Sequence, residues 1–257
     1  MTEPLVDEML EDGVLTLTLG GGKAHALSSA MLGALNEVLC RAGRDEAVRV
    51  IVLQGPGHIF CAGHDLKEIA RHRQDADQGE AYLRRLLDDC AEMMQRLTIG
   101  PKPTIAMVDG IATAAGAQVV AACDLAFASE RATFSLPGVK NGGFCSTPLV
   151  AVGRAISRKH AMEMALSGAS YDAEWALSVG LINRICPSNG LADEVRAFAA
   201  TLATRHAPAI SLGKATFHAQ LEAPLAEAYQ HAGESMLHHF MDPFRVAKEQ
   251  DSWGEGK

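Results

Sequence analysis

Two uninterrupted apolar runs, each closed by glycine, constrain this chain more than any other feature: "VRVIVLQG" (Val48 to Gly55) and "PTIAMVDG" (Pro103 to Gly110). A strand with one wet face alternates apolar and polar residues. These runs do not alternate, so they predict strands covered on both sides. The first ends at Gly55-Pro56-Gly57, a turn signal. After the second, "AAGAQVVAAC" reads as a helix, and "DLAFAS" and "ATFSLPG" read as short strands. Nearer the start, Leu15, Leu17 and Leu19 alternate with Thr16 and Thr18, the period of a half-buried strand. "GGGK" (Gly20 to Lys23) is a loop. From Ser29 onward, Met31, Leu32, Leu35, Val38, Leu39 and Ala42 share one helical face, with Gly43 as the stop. The order strand, strand, helix recurs without sequence identity. It predicts an α/β fold wound as a solenoid, not a flat nucleotide-binding sheet.

Composition changes near Asn189. From Leu191 the chain consists almost wholly of helix formers, with breaks at Pro208, Pro224 and Pro243. The reading is a core over 1–190 and a helical region of two or three helices over 191–257. An apolar stripe runs from Ala207 to Phe240 beside a core that is complete without it, which points to an oligomer contact.

With 257 residues the chain can bury roughly three quarters of its unfolded surface. Its net charge of −8 argues against nucleic acid, whose phosphates need a basic footprint. A small anionic ligand needs only a local site. Six cysteines without a CxxC pair read as reduced thiols. "MTEPLVDEML" is acidic and lacks the apolar stretch of a signal peptide. Gly110 to Cys123 is shorter than the roughly 20 residues of a membrane span. The expectation is a soluble, cytoplasmic protein without a membrane partner. His238-His239 and the other histidines lack metal-ligand spacing, so no metal is expected.

Two junctions rich in small residues could carry chemistry: "CAGHDLKE" (Cys61 to Glu68) and "GIATAAGAQ" (Gly110 to Gln118). Small side chains let a ligand approach the main chain. A helix beginning near Ala115 would expose N–H groups at a positive dipole end. Two such groups aimed at one point would stabilise an oxyanion, although tight turns that only pack helices on strands look the same.

"HIFCAGHDLKE", "PTIAMVDGIATAAGAQVVAACDLAFAS", "ATFSLPGVKNG" and "LSGASYDAEWALSVGLINRI" together resemble the crotonase family of enoyl-CoA hydratases and isomerases, in the family's order and spacing. "GIATAAGAQVVAACDLAFAS", "GGFCSTP" and "SLGKATFHAQL" resemble, within it, the enoyl-CoA hydratase domain-containing protein 3 branch. The resemblance implies a crotonase-like spiral of repeated β-β-α turns and a C-terminal helical region that builds trimers, often paired as hexamers. It implies an acyl-CoA thioester ligand, with coenzyme A as part of the substrate and no separate cofactor. By position, the two oxyanion-hole N–H groups map to His64 and Ala115. The cleft around them would draw on Lys23, Ala24, Ala26, Ala62, Gly63, Asp65, Leu66, Ala114, Gly116, Pro137 and Asn141. Ala115 stands where the family usually has Gly; the donor survives and the added methyl narrows the pocket.

The same mapping removes something. The two glutamates with which family hydratases handle water fall on Gln118 and Gly138. Gln has no proton-transfer chemistry near neutrality and Gly has no side chain, so ordinary hydration is expected to be weak or absent. The double change Gln118→Glu with Gly138→Glu is expected to raise it. Another thioester reaction such as hydrolysis, or acyl-CoA binding without catalysis, remains open. His64 could be an acid–base group or a loop His facing solvent. Asp65 reads as a helix cap. Cys145 could be a nucleophile, but no base stands beside it in sequence, and a small buried thiol is the preferred reading. Lys140 and Asn141 could donate hydrogen bonds or form a polar loop. Lys23 and Lys67 could meet CoA phosphates or stay solvated. The tail "MDPFRVAKEQDSWGEGK" departs from the family, whose last helix covers the CoA.

Overall fold

The computed structural model describes residues 4–253. A hairpin of β1 (Val6–Glu11) and β2 (Val14–Leu19) opens the chain. After the glycine loop, α1 (Ser29–Arg44) starts at Ser28, whose Oγ accepts the Met31 N–H at 3.1 Å. Its buried face is the one read from the sequence. The helix passes through the expected stop at Gly43 and ends one residue later, where Asp45 turns extended.

The winding comes next. The chain lays down β3 (Val50–Gln54), β4 (Ile59–Cys61), α2 (Leu66–His72) and α3 (Glu80–Ile99). It repeats the pattern with β5 (Thr104–Val108), β6 (Ile111–Thr113) and α4 (Ala115–Ala122). The third round is β7 (Leu125–Ser129), β8 (Thr133–Ser135), a 3-10 turn over Pro137–Asn141, α5 (Pro148–Ala155) and α6 (Arg158–Ser167). "ATFSLPG" is therefore strand only to Ser135, because Pro137 opens the 3-10 turn. Then follow β9 (Ser170–Asp172), α7 (Ala173–Ser178), β10 (Arg184–Cys186) and α8 (Leu191–Ala203).

Each round gives one strand to each of two sheets. The large sheet has the order β1-β2-β3-β5-β7-β10 and the small one β4-β6-β8-β9. Pairing is parallel from β2 through β10, and along β4-β6-β8. This is the β-β-α spiral of the crotonase fold. It also explains the unbroken apolar runs. On β3, Ile51 and Leu53 join the main core, whereas Val50 and Val52 join a second cluster with Ile105, Phe127, Leu191, Val195 and Ala199. One face of the large sheet packs into the spiral and α8 covers the other, so period two is hidden by burial on both sides.

The described residues divide into two compact units. One runs to Thr98 and from Lys102 to Thr204; the other contains Ile99–Pro101 and the chain from Arg205. The composition break at residue 191 thus precedes the structural one, because α8 is helical in composition but packs on the sheet. The second unit holds α9 (Ala207–Leu221), α10 (Leu225–Met241) and α11 (Pro243–Trp253). With α8, four helices follow residue 190 among the described residues, not two or three. Pro208, Pro224 and Pro243 lie at helix starts, where a missing N–H costs nothing. Thr216 Oγ1 donates to Ser235 Oγ at 2.9 Å and ties α9 to α10. Phe217, Leu225, Tyr229, Phe240 and Met241 remain exposed. The last residues of the sequence's divergent tail, 254–257, lie outside the described residues.

Candidate active site

Parallel strands end together, and this gathers the site. β4, β6 and β8 run side by side, so the segments leaving them emerge at one end of the small sheet. The three segments carry His64, Ala114–Ala115 and Leu136–Gly138. Crevices at the carboxyl ends of parallel strands are where ligands of α/β proteins bind. The Ala114 N–H donates to the Ser135 carbonyl at 2.9 Å and fixes the second segment on the third.

A fourth segment lies along the first. The Ala62 N–H donates to the Ala24 carbonyl at 3.0 Å, Leu27 N–H to Gly63 at 2.8 Å, and Asp65 N–H to Leu27 at 3.4 Å. Leu27 therefore bonds the residues on either side of His64, with which it forms a parallel bridge. In that pattern the N–H of His64 itself points away from Leu27. What lies on the other side is α4. A Cβ at Gly63 would stand 3.1 Å from Ala115 N and 3.1 Å from Ala114 Cβ. Gly63 has φ +84, so the turn needs glycine for conformation as well as for room. Ala115 is the first residue of α4, and its N–H has no partner four residues back. The turn that carries His64 and the first residue of α4, Ala115, are thus segments in contact at Gly63.

Two features hold them there. Gly116 lies against β4 so closely that a Cβ would fall 2.0 Å from the Cys61 carbonyl oxygen. Ala114 caps α4 with φ +51 and ψ −120, a conformation costing of order 1–3 kcal/mol for a residue with a Cβ. The sequence gives no sign of this strain.

The side chains around the point are neutral. Gln118 sits one helical turn beyond Ala114 and Ala115, is almost fully buried, and its Oε1 has no hydrogen-bond partner among the described residues. Gly138 is backed by Cys145: a Cβ there would lie 2.9 Å from Cys145 N and 3.0 Å from Cys145 Sγ. The thiol thus occupies the room into which a side chain at 138 would grow. Burial pushes the Cys145 thiol up, and the Gly138 main chain offsets this only in part. A thiol held protonated is a poor nucleophile.

His64 follows neither sequence expectation cleanly. It is half-buried; Nδ1 lies 3.4 Å from the Leu27 carbonyl, and Nε2 is buried with no hydrogen-bond partner among the described residues. Burial holds its imidazole below the usual range, with the Leu27 bond opposing. Asp65 caps α2: Oδ1 accepts from Lys67 N at 2.9 Å and from Glu68 N at 3.2 Å. Ala24, Ala26, Ala62 and Pro137 are half-buried along the segments just described, while Lys23, Leu66, Lys67, Lys140 and Asn141 are exposed. The Lys140 chain runs toward Gly168, since its Cε lies 3.3 Å from where a Cβ of Gly168 would be. No cluster of three or more His, Cys, Asp or Glu that could hold a metal occurs among the described residues. No helix there is long and apolar enough to cross a membrane. Sequence reasoning missed His25, buried between Ala24 and Ala26 on the fourth segment. Its only signal was an imidazole among small residues.

Comparison with known proteins identifies the family. The sequence pattern of the family described as enoyl-CoA hydratase/isomerase matches residues 10–255. The chain belongs to the enoyl-CoA hydratase/isomerase family. A curated family member from Rattus norvegicus, "Enoyl-CoA hydratase domain-containing protein 3, mitochondrial", is 40% identical over 238 residues, covering 92% of this chain and 78% of its own. A solved family member from Silicibacter pomeroyi is 54% identical, with a TM-score of 0.89 over 93% of this chain and all of its own. Human enoyl-CoA hydratase domain-containing protein 3 superposes with a TM-score of 0.91 at 35% identity, covering 99% of each chain.

Proposed function

We propose that this family member binds acyl-CoA thioesters with the carbonyl oxygen between the N–H groups of His64 and Ala115. The observation that supports the reading is the approach of Gly63 to Ala115, which sets the turn bearing His64 against the start of α4. Donors fixed in advance polarise a carbonyl without reorganising. Coenzyme A is part of the ligand and no separate cofactor is required. The exposed Lys23 and Lys67 stand free to approach its phosphates as point charges.

Hydration of enoyl thioesters is weak or absent in this reading. Proton transfer to or from water needs a titratable group in reach, and positions 118 and 138 carry an amide and no side chain. The protonated state of Cys145 also disfavours thioester hydrolysis by that thiol. The apolar residues exposed on α9 and α10 support a homo-trimer or hexamer. A cytoplasmic setting belongs to this reading too; "mitochondrial" belongs to the names of the vertebrate relatives.

The test is direct. A crystal soaked with a non-hydrolysable acyl-CoA analogue should show the carbonyl oxygen between His64 N and Ala115 N. Density elsewhere with this cleft empty sinks the proposal. Incubation with a panel of acyl-CoA and enoyl-CoA thioesters, followed by mass spectrometry, separates a catalyst from a binder.

A further inference from the structure

His25 makes two contacts that a neutral imidazole cannot both satisfy. Nδ1 lies 2.9 Å from the Gly20 carbonyl oxygen and Nε2 lies 2.9 Å from the Pro56 carbonyl oxygen. A carbonyl oxygen only accepts. A neutral ring has one N–H, so its other nitrogen would face a carbonyl with lone pair against lone pair. The doubly protonated ring donates at both ends. Against this stands the cost of burying a cation, since His25 is 4% exposed. Among the described residues no carboxylate bonds the ring, and its partners are the two carbonyl oxygens.

The residue is also held in a conformation that chains avoid, with φ +44. A strained residue persists only where its surroundings fix it. Its place explains what is being fixed. Gly20 directly follows β2, Pro56 lies in the turn from β3 to β4, and the flanking Ala24 and Leu27 carry the bonds to Ala62, Gly63 and Asp65. Titratable or charged groups on the segments meeting here are Lys23 on its own segment, His58 beyond Pro56, and His64 and Asp65 on the neighbouring turn. Lys23 and His58 are exposed, Asp65 caps α2, and His64 turns Nδ1 to Leu27.

We propose that His25 is a positioning residue for the acyl-thioester cleft, clasping the Lys23–Ala26 segment to Gly20 and Pro56 through both ring nitrogens, fully so only as the doubly protonated imidazole. Losing that proton gives up one charge-assisted bond and loosens the segment that flanks the His64 turn. The proposal rests on the binding function given above, and its test has one arm independent of it.

In the first arm, the full chain labelled with ¹⁵N-histidine is followed by long-range ¹H–¹⁵N NMR between about pH 5.5 and about pH 8.5. His25 is assigned by its loss in His25→Asn, a replacement that tolerates positive φ. If His25→Asn does not fold, His25→Gln serves. Both ring nitrogens protonated at the acid end, with one losing its proton as pH rises, is the expected result. A single neutral tautomer throughout overturns the proposal. In the second arm, butyryl-CoA affinity is measured by calorimetry at about pH 6 and about pH 8 in wild type and variant. Dividing the two ratios cancels titration of the CoA phosphates. Wild type should weaken by about tenfold more than the variant, the worth of one charge-assisted bond. Equal ratios overturn the positioning role. If butyryl-CoA binds neither protein at either pH, the binding function has failed, and the NMR arm alone decides the state of the ring.

Discussion

Gly116→Ala puts a single methyl where the spiral leaves no room for one. The new Cβ would lie 2.0 Å from the Cys61 carbonyl oxygen and 2.7 Å from its carbon, both main-chain atoms of β4 that cannot rotate aside. To reach ordinary contact, α4 must retreat from β4 by roughly 1 Å or more. Overpacking of this kind costs about 1–3 kcal/mol, here at the upper end because backbone must move. The functional effect is separate. α4 carries Ala115 N and β4 leads to His64 N, so the retreat moves the two donors apart. Displacement by about 1 Å at such a site is worth about 10²-fold. Urea unfolding gives the stability change, and calorimetry with an acyl-CoA against free CoA gives the loss specific to the thioester. Gly153→Ala is the control: it lies in α5 with nothing within 4 Å of the new Cβ, and should gain up to about 1 kcal/mol from helix propensity. If Gly116→Ala unfolds like wild type and keeps its preference for the thioester, the donor pair does not depend on the α4–β4 contact and the site has been misread.

Ala114→Gly should stabilise the protein by about 1 kcal/mol, because it relieves the positive φ that Ala114 holds; a lower urea midpoint would show that the strain is not there. Wild type should hydrate short enoyl-CoA substrates only in traces, each missing proton-transfer group being worth about 10²–10⁴-fold; robust turnover would reject that assignment and make His64 the first residue to replace. The gain expected from restoring both carboxylates should come from Gln118→Glu alone, since Gly138→Glu drives a Cβ into the Cys145 main chain and should destabilise the fold. Stability should fall with acid through His64: burial lowers its folded-state value, so the unfolded chain binds the extra proton first. Its contribution is complete above about pH 6.5 and declines as pH drops toward the folded value. His64→Leu should flatten this part of the urea-midpoint profile while leaving thioester binding, which uses the main chain, in place. Light scattering at micromolar concentration should give a trimer or hexamer, and a monomer mass would refute the use assigned to the apolar residues of α9 and α10.

The spiral was legible because burial on both faces writes itself as an unbroken apolar run, which β3 and β5 show. The position of the α8 boundary was not. α8 and α9 have similar composition, and whether a helix covers a sheet or begins a separate unit depends on contacts far away in sequence, such as Val195 and Ala199 with β3. The two turns were legible as small-residue junctions, and their convergence at Gly63 only through the family pattern. The rest was hidden for physical reasons. The strain at Ala114 belongs to a residue type that rarely adopts positive φ, so nothing local announces it. The clasp at His25 has backbone partners 5 and 31 residues away, and main-chain carbonyls leave no mark in a sequence. Cys145 backs Gly138 because the intervening 3-10 turn folds the chain onto itself, which spacing alone does not reveal.

In the proposed site, a donor pair and a proton-transfer pair fail differently under substitution. The N–H groups of His64 and Ala115 belong to the main chain. They are fixed by the parallel register of β4 and β6, by Gly63 and Gly116 at the contact, and by Leu27 bonding on both sides of His64. Any residue can stand at 64 or 115 without removing its donor, provided it fits. Disturbing the pair means disturbing the packing of the spiral, which costs stability as well as function. A catalytic carboxylate is one side chain at one position, and an amide such as Gln118 has nearly the same volume and leaves the helix intact. At Gly138, Cys145 fills the adjacent space and makes a larger residue costly. The binding half of such a site is therefore tied to the fold and the proton-handling half is not. On the proposed reading, a chain with only the first half keeps a cleft for a thioester, lined by an amide, a thiol held protonated by burial and an imidazole that burial holds below its usual range.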